Sequence, residues 1–133
     1  MRPLKILIVS LLILSLLGSA QPAQAANNQS IVIQLDINGV INPFSSRYLE
    51  RGLDLAQRSG AELVLVTLDT PGGLEASMRE MVQAILGSPV PVVVYVTPAG
   101  ARATSAGLFI LQAGDVAAMA PATQPNSSSL QNC

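Results

Sequence analysis

Ser105 is the residue in this sequence best placed to do chemistry, because of its neighbours. It stands in Thr104-Ser105-Ala106-Gly107, small residues between a β-branched run and an apolar helical stretch. A serine close to a helix N-terminus sits where backbone N–H groups lack intrahelical partners. That setting suits a nucleophile, with the N–H of Ala106 as a donor to an oxyanion. A second stretch, Asp69-Thr70-Pro71-Gly72-Gly73, follows another apolar run. Lacking Cβ atoms, Gly72 and Gly73 let a substrate carbonyl approach the backbone, and their N–H groups can also face a developing oxyanion. The same residues equally suit a plain tight turn and close helix packing.

An activated serine needs a base, and here the sequence is poor. It contains no histidine, and its single lysine is Lys5. Asp69 and Asp115 lie near expected strand ends, but a carboxylate is a weak base for a serine hydroxyl. Arg102 could meet a substrate carboxylate or simply be solvated. Neither a cofactor nor a metal is expected.

The chain has 133 residues, enough for one domain. Arg2 and Lys5, the apolar run over 6–17 and Ala23-Gln24-Ala25 together read as a signal peptide cleaved after about Ala25. Removing it leaves about 108 residues, a workable size for one core. Half of the residues are hydrophobic, 11% are charged, and the formal net charge is −1. That balance argues against nucleic-acid binding, which calls for a basic patch with stacking aromatics. Cys133 is the only cysteine, so no disulfide can form within the chain.

The elements that must position these residues follow in order. Residues 31–37 read as a first strand, ended by Asn38-Gly39. Asn42 is expected to cap a helix with Pro43 at its first position, and Ser59-Gly60 to stop it. Residues 63–68 are almost continuously apolar, as in a strand covered on both faces. Leu74, Met78, Met81, Val82, Ile85 and Leu86 then mark one face of a second helix, with Glu75 and Arg79 paired outside. A strand over 90–96, a buried helix over 104–112 and a short strand over 116–119 complete the pattern. Such alternation with short connections implies an α/β fold with parallel strands. Sites then gather at the C-terminal ends of the strands, where Pro71-Gly72-Gly73 and Ser105 both fall.

After Thr123 the character changes. Residues 124–133 are polar and low in complexity, and read as a disordered tail. The abrupt change is also what a frameshift, or a natural short form, would produce.

Over 31–123 the sequence resembles the N-terminal protease domain of the NfeD family, membrane-associated serine proteases of the ClpP class. The matching segments are L-D-T-P-G-G-L at 68–74, S-P-V-P-V-V-V-Y-V at 88–96, P-A-G-A-R-A-T-S-A-G at 98–107 and A-G-D-V-A-A-M-A-P-A-T at 113–123. The resemblance implies a ClpP/crotonase-like α/β spiral of ββα units with a mainly parallel sheet. It aligns Ser105 with the nucleophile and Gly72 and Gly73 with the oxyanion-hole glycines, the Ala106 N–H alongside. The family's general base is a lysine some tens of residues beyond the nucleophile, and no lysine follows Ser105 here.

The resemblance therefore implies a serine endopeptidase with a Ser–Lys dyad acting on apolar segments of membrane proteins, here lacking its base and inactive as given. A polypeptide substrate, a stomatin-like partner, homo-oligomers and an exported, membrane-associated location come with it. The alternative is a non-catalytic peptide-binding or assembly module of the same fold. A crotonase-type acyl-CoA enzyme shares the oxyanion logic but has no use for a serine at Thr-Ser-Ala-Gly.

Overall fold

A computed structural model describes residues 30–126. The expected signal peptide and most of the polar tail lie outside those residues. Within them the order is β1 (Val32–Asn38), α1 (Pro43–Ser59), β2 (Leu63–Asp69), α2 (Glu75–Leu86), β3 (Val92–Val96), β4 (Arg102–Thr104), α3 (Ala106–Ala113), β5 (Val116–Met119) and β6 (Gln124–Asn126). Four strands form one parallel sheet in the order β1-β2-β3-β5, and β4 pairs in parallel with β6. The α/β fold with a parallel sheet is thus the one expected. Among the described residues, no helix is long and apolar enough to cross a membrane.

Local signals in the sequence account for the helix ends. The Asn42 side chain accepts the N–H groups of Phe44 and Ser45 at 2.8 and 3.1 Å, while Ser45 Oγ accepts the Asn42 N–H at 2.9 Å. This reciprocal box, with Pro43 behind it, fixes the start of α1. Gly60 ends the helix at φ 65°, a left-handed conformation that glycine adopts without steric cost.

The core lies on one face of the sheet. Leu35 and Ile37 of β1, Val64, Val66 and Leu68 of β2, and Val92, Val94 and Val96 of β3 pack there. Leu49 and Leu53 of α1, Met81 and Ile85 of α2, and Ile110 of α3 close over them. The opposite face does not match the expectation of a strand covered on both sides. Leu63, Leu65, Thr67 and Asp69 of β2 alternate with the buried residues and are only half-buried. Their neighbours across the sheet include Gln34, Asp36, Val93 and Tyr95. A continuous apolar run therefore marked one buried face and one half-covered face.

Two further differences bear on the site. Arg102–Thr104 form a short strand where a loop and the start of a helix were expected, so α3 begins two residues later, at Ala106. Gln124–Asn126, read with the polar tail, pair with that strand as β6. Their order comes from a partner strand, which a short polar segment cannot announce by its own pattern.

Candidate active site

Ser105 links β4 to α3, and its backbone is unusual. It occupies the N-cap position of α3 with φ 53° and ψ −114°, and its side chain makes no capping hydrogen bond. A non-glycine residue held there costs about 1–3 kcal/mol, which the surroundings must impose. They do so from both sides. Thr104 donates its N–H and its Oγ1 to the Thr70 carbonyl, each at 3.1 Å. On the helical side, Leu108 N–H reaches the Ser105 carbonyl at 3.1 Å and closes the first turn. The result is an exposed serine whose hydroxyl is not engaged by the helix it begins.

The turn after β2 is built against that serine. Gly72 has φ 109°, and a Cβ at this position would meet Ser105 Cβ and the Thr104 carbonyl oxygen. Gly73 passes still closer to Ile41, where a Cβ would overlap the Ile41 backbone. Ile41 N–H donates to the Gly72 carbonyl and Leu74 N–H to the Ile41 carbonyl, both at 2.9 Å. These two bonds hold the strip on either side of Gly73.

The two glycines thus differ in what their amides face. Gly72 N–H donates to Thr70 Oγ1 at 3.0 Å, so it is engaged inside the turn. Gly73 N–H and Ala106 N–H have no acceptor among the described residues. Both residues line, with Ser105, one end of a cavity of about 720 Å³. The sequence predicts both Gly72 and Gly73 as donors. In the structure, Gly72 provides close approach to Ser105, whereas Gly73 keeps a free amide.

The remainder of the cavity is a groove between α2 and α3. Met78, Val82 and Leu86 line it from α2, and Phe109 and Ala113 from α3. The apolar face expected of α2 is therefore divided. Met81 and Ile85 enter the core, while Met78 and Val82 are half-buried and Leu86 is 70% exposed. α3 was expected to be buried all round, yet Phe109 is 52% exposed in this groove. The Glu75–Arg79 ion pair, at 2.6 Å, stands on its polar rim as the i,i+4 spacing required.

The other candidates are placed elsewhere. Asp115 Oδ2 accepts the Val92 N–H at 2.7 Å, at the N-terminal end of β3 and so at the far end of the sheet from Ser105. Asp69 Oδ1 accepts the Arg102 N–H at 3.0 Å, fastening β4 to the end of β2. Its carboxylate lines a separate depression with Gln34, Asp36, Asn38 and Thr97. There the hydroxyl of Thr67, and secondarily the Gln34 amide, hold Asp36 below the usual carboxylate range. The Arg102 side chain is exposed and has no carboxylate partner among the described residues. Neither aspartate is brought to the serine.

Thr70 was missed in the sequence as anything more than a turn residue. It is fully buried and touches the turn, β4 and α3 at once. A polar residue continuing the inward-facing series Val64, Val66, Leu68 was the available signal, since burial of a hydroxyl demands partners.

No profile of a known protein family matches the chain. It is similar to membrane-bound protease PH1510 of Pyrococcus horikoshii, with 38% identity over 117 residues, 88% of this chain and 25% of that protein. Membrane protein NfeD1b of Bacillus subtilis is 33% identical over 114 residues, 86% of this chain and again 25% of the relative. The chain thus spans about a quarter of the length of these relatives. Among solved structures, it superposes on a lysine-to-alanine mutant of the 1510-N membrane-bound stomatin-specific protease in complex with a substrate peptide. That match has a TM-score of 0.70 and 38% identity over 72% of this chain and 44% of the other. ClpP1 from Listeria monocytogenes, at 21% identity and a TM-score of 0.56 over 61% of this chain and 46% of its own, shares the fold.

Proposed function

This chain carries an NfeD-type, ClpP-like protease domain, and from that premise we propose that it supplies the nucleophile and oxyanion donors of a serine endopeptidase site. One observation carries the reading. A serine in a strained backbone conformation stands beside two amides, Gly73 and Ala106, that have no acceptor among the described residues, at the end of an apolar groove. In the reaction, a general base takes the Ser105 hydroxyl proton as Oγ adds to a peptide carbonyl carbon, and those two N–H groups receive the charge on the carbonyl oxygen. Return of the proton to the peptide nitrogen then releases the amine half as the C–N bond breaks. Met78, Val82 and Phe109 favour an apolar side chain on the bound segment. The substrate is then an apolar stretch of polypeptide, with a stomatin-like membrane protein as the partner by analogy with the 1510-N protease.

The proton on Ser105 has no taker of the expected kind here. The 133 residues include no histidine and no lysine after Lys5, and neither Asp69 nor Asp115 is turned to the serine. We therefore read the chain by itself as binding apolar peptide without turning it over. A primary amine in solution should substitute in part for the missing base.

The test is labelling of Ser105 by a fluorophosphonate, with and without added propylamine. Slow labelling that the amine accelerates, and that disappears in Ser105→Ala, is expected. No labelling of folded protein under either condition would end the catalytic reading. The second reading, a peptide-binding module, rests on the same groove. It predicts that apolar peptide binds Ser105→Ala as well as wild type while no labelling occurs.

A further inference from the structure

Thr70 makes contacts that a residue needed only for packing would not make. Its hydroxyl addresses both ends of Gly72, accepting the N–H at 3.0 Å and facing the carbonyl oxygen at 3.3 Å. Its backbone carbonyl receives two donors from Thr104, the residue before Ser105. Its N–H donates to the Arg102 carbonyl at 2.7 Å. Its methyl group fills the space over Gly107, where a Cβ would come within 2.5 Å of Thr70 Cγ2. Thr70 thus holds the residue before the serine, a glycine just after it, and the glycine opposite it.

We infer that Thr70 is the positioning residue of the site: its hydroxyl fixes the Gly72 peptide so that the Gly73 N–H is left facing the Ser105 side. A buried amide takes whatever acceptor lies within reach. Without Thr70 Oγ1, the Gly72 N–H would have to find another partner, and the Gly72–Gly73 strip would turn to provide one. The Gly73 N–H would turn with it, and the strip that presses on Ser105 would no longer be held at φ 109°. Thr70 itself touches no substrate and exchanges no proton, so its effect runs wholly through Gly72, Gly73 and Thr104. This inference rests on the reading of Ser105 as nucleophile, but the clamp on Gly72 is a structural statement in its own right.

Two substitutions in the full chain separate the hydroxyl from the methyl. Thr70→Val keeps the volume and the contact with Gly107 but loses the acceptor for Gly72. Thr70→Ser keeps the acceptor and loses the methyl. Amine-assisted fluorophosphonate labelling of Ser105 is measured for both, with amide hydrogen exchange at Gly72 and Gly73 as the second readout. The expected result is at least a tenfold fall in labelling rate for Thr70→Val, a rate within threefold of wild type for Thr70→Ser, and loss of Gly72 protection in Thr70→Val alone. If packing were all that mattered, Thr70→Ser would be the worse variant on both readouts, and the inference would be wrong. Should wild-type protein not label at all, the nucleophile reading fails separately, and exchange at Gly72 then decides for or against the clamp.

Discussion

Gly72 lies against Ser105 so closely that a Cβ on the glycine would stand 2.9 Å from the serine Cβ and 3.4 Å from its Oγ. The Thr104 carbonyl oxygen would be 3.1 Å away, and φ 109° is itself hostile to an L side chain. Gly72→Ala should therefore cost about 1–3 kcal/mol of stability and slow Ser105 labelling at least tenfold. Denaturant unfolding and labelling rates together check this. Labelling at the wild-type rate would mean that the two residues are not in contact in solution.

Ser105 is held at φ 53° and ψ −114°, which glycine adopts more readily than alanine. Ser105→Gly should accordingly be more stable than Ser105→Ala by about 1 kcal/mol, although both lose labelling. Equal midpoints in urea for the two variants would show that the backbone at this residue is relaxed.

Phe109 is half-exposed and lines the groove. Replacing it by aspartate puts a charge where an apolar side chain is proposed to bind. Affinity for an apolar peptide should fall roughly fivefold or more, in keeping with about 1–2 kcal/mol of lost apolar contact. Calorimetric titration is the measurement, and unchanged affinity would move the peptide out of the groove.

Asp115 serves the Val92 amide at the far end of β3. Asp115→Ala should lower stability by about 1 kcal/mol through the unpaired N–H and leave the labelling rate of folded protein unchanged. A large loss of labelling at unchanged stability would instead make Asp115 a participant in catalysis.

Asp36 is lowered by the Thr67 hydroxyl and then by Gln34. A carboxylate depressed in the folded state contributes stability above its unfolded value, and that contribution fades as pH falls through the folded one. The contribution is small for so exposed a group, starts to fade below the unfolded value and is gone once the folded carboxylate is protonated. Thermal unfolding of wild type and Asp36→Asn should thus differ slightly at pH 6, and the difference should shrink as pH falls below about 4. Divergence on acidification would reverse the sign of the effect.

Much of this was legible because the signals were local. Asn42, Pro43 and Gly60 fix α1 by bonds within a few residues, and the Glu75–Arg79 spacing needs only the helix. Ser105 and the paired glycines were also visible, although the same residues suit a plain turn; the resemblance of the segments around them is what set them apart. The different duties of Gly72 and Gly73 were not, because they depend on Thr70 and Ile41, one inside the turn and one 32 positions upstream. β4 and β6 escaped for a related reason. Three-residue strands have too little pattern of their own and exist through their pairing. The divided face of α2 likewise required α3 to be in place, since Met78 and Met81 have the same chemistry but different neighbours.

The two bonds that flank Gly73 tie the crevice to the beginning of α1, for Ile41 stands next to the Asn42 cap. An amide on a loose loop must surrender its conformational freedom when an anion arrives, at about 1–2 kcal/mol per residue ordered. The Gly73 amide has already lost that freedom by the time the domain is folded. In the proposed reaction its readiness to receive charge therefore belongs to the folded scaffold rather than to the ligand, and it should persist for as long as the N-terminus of α1 stays wound.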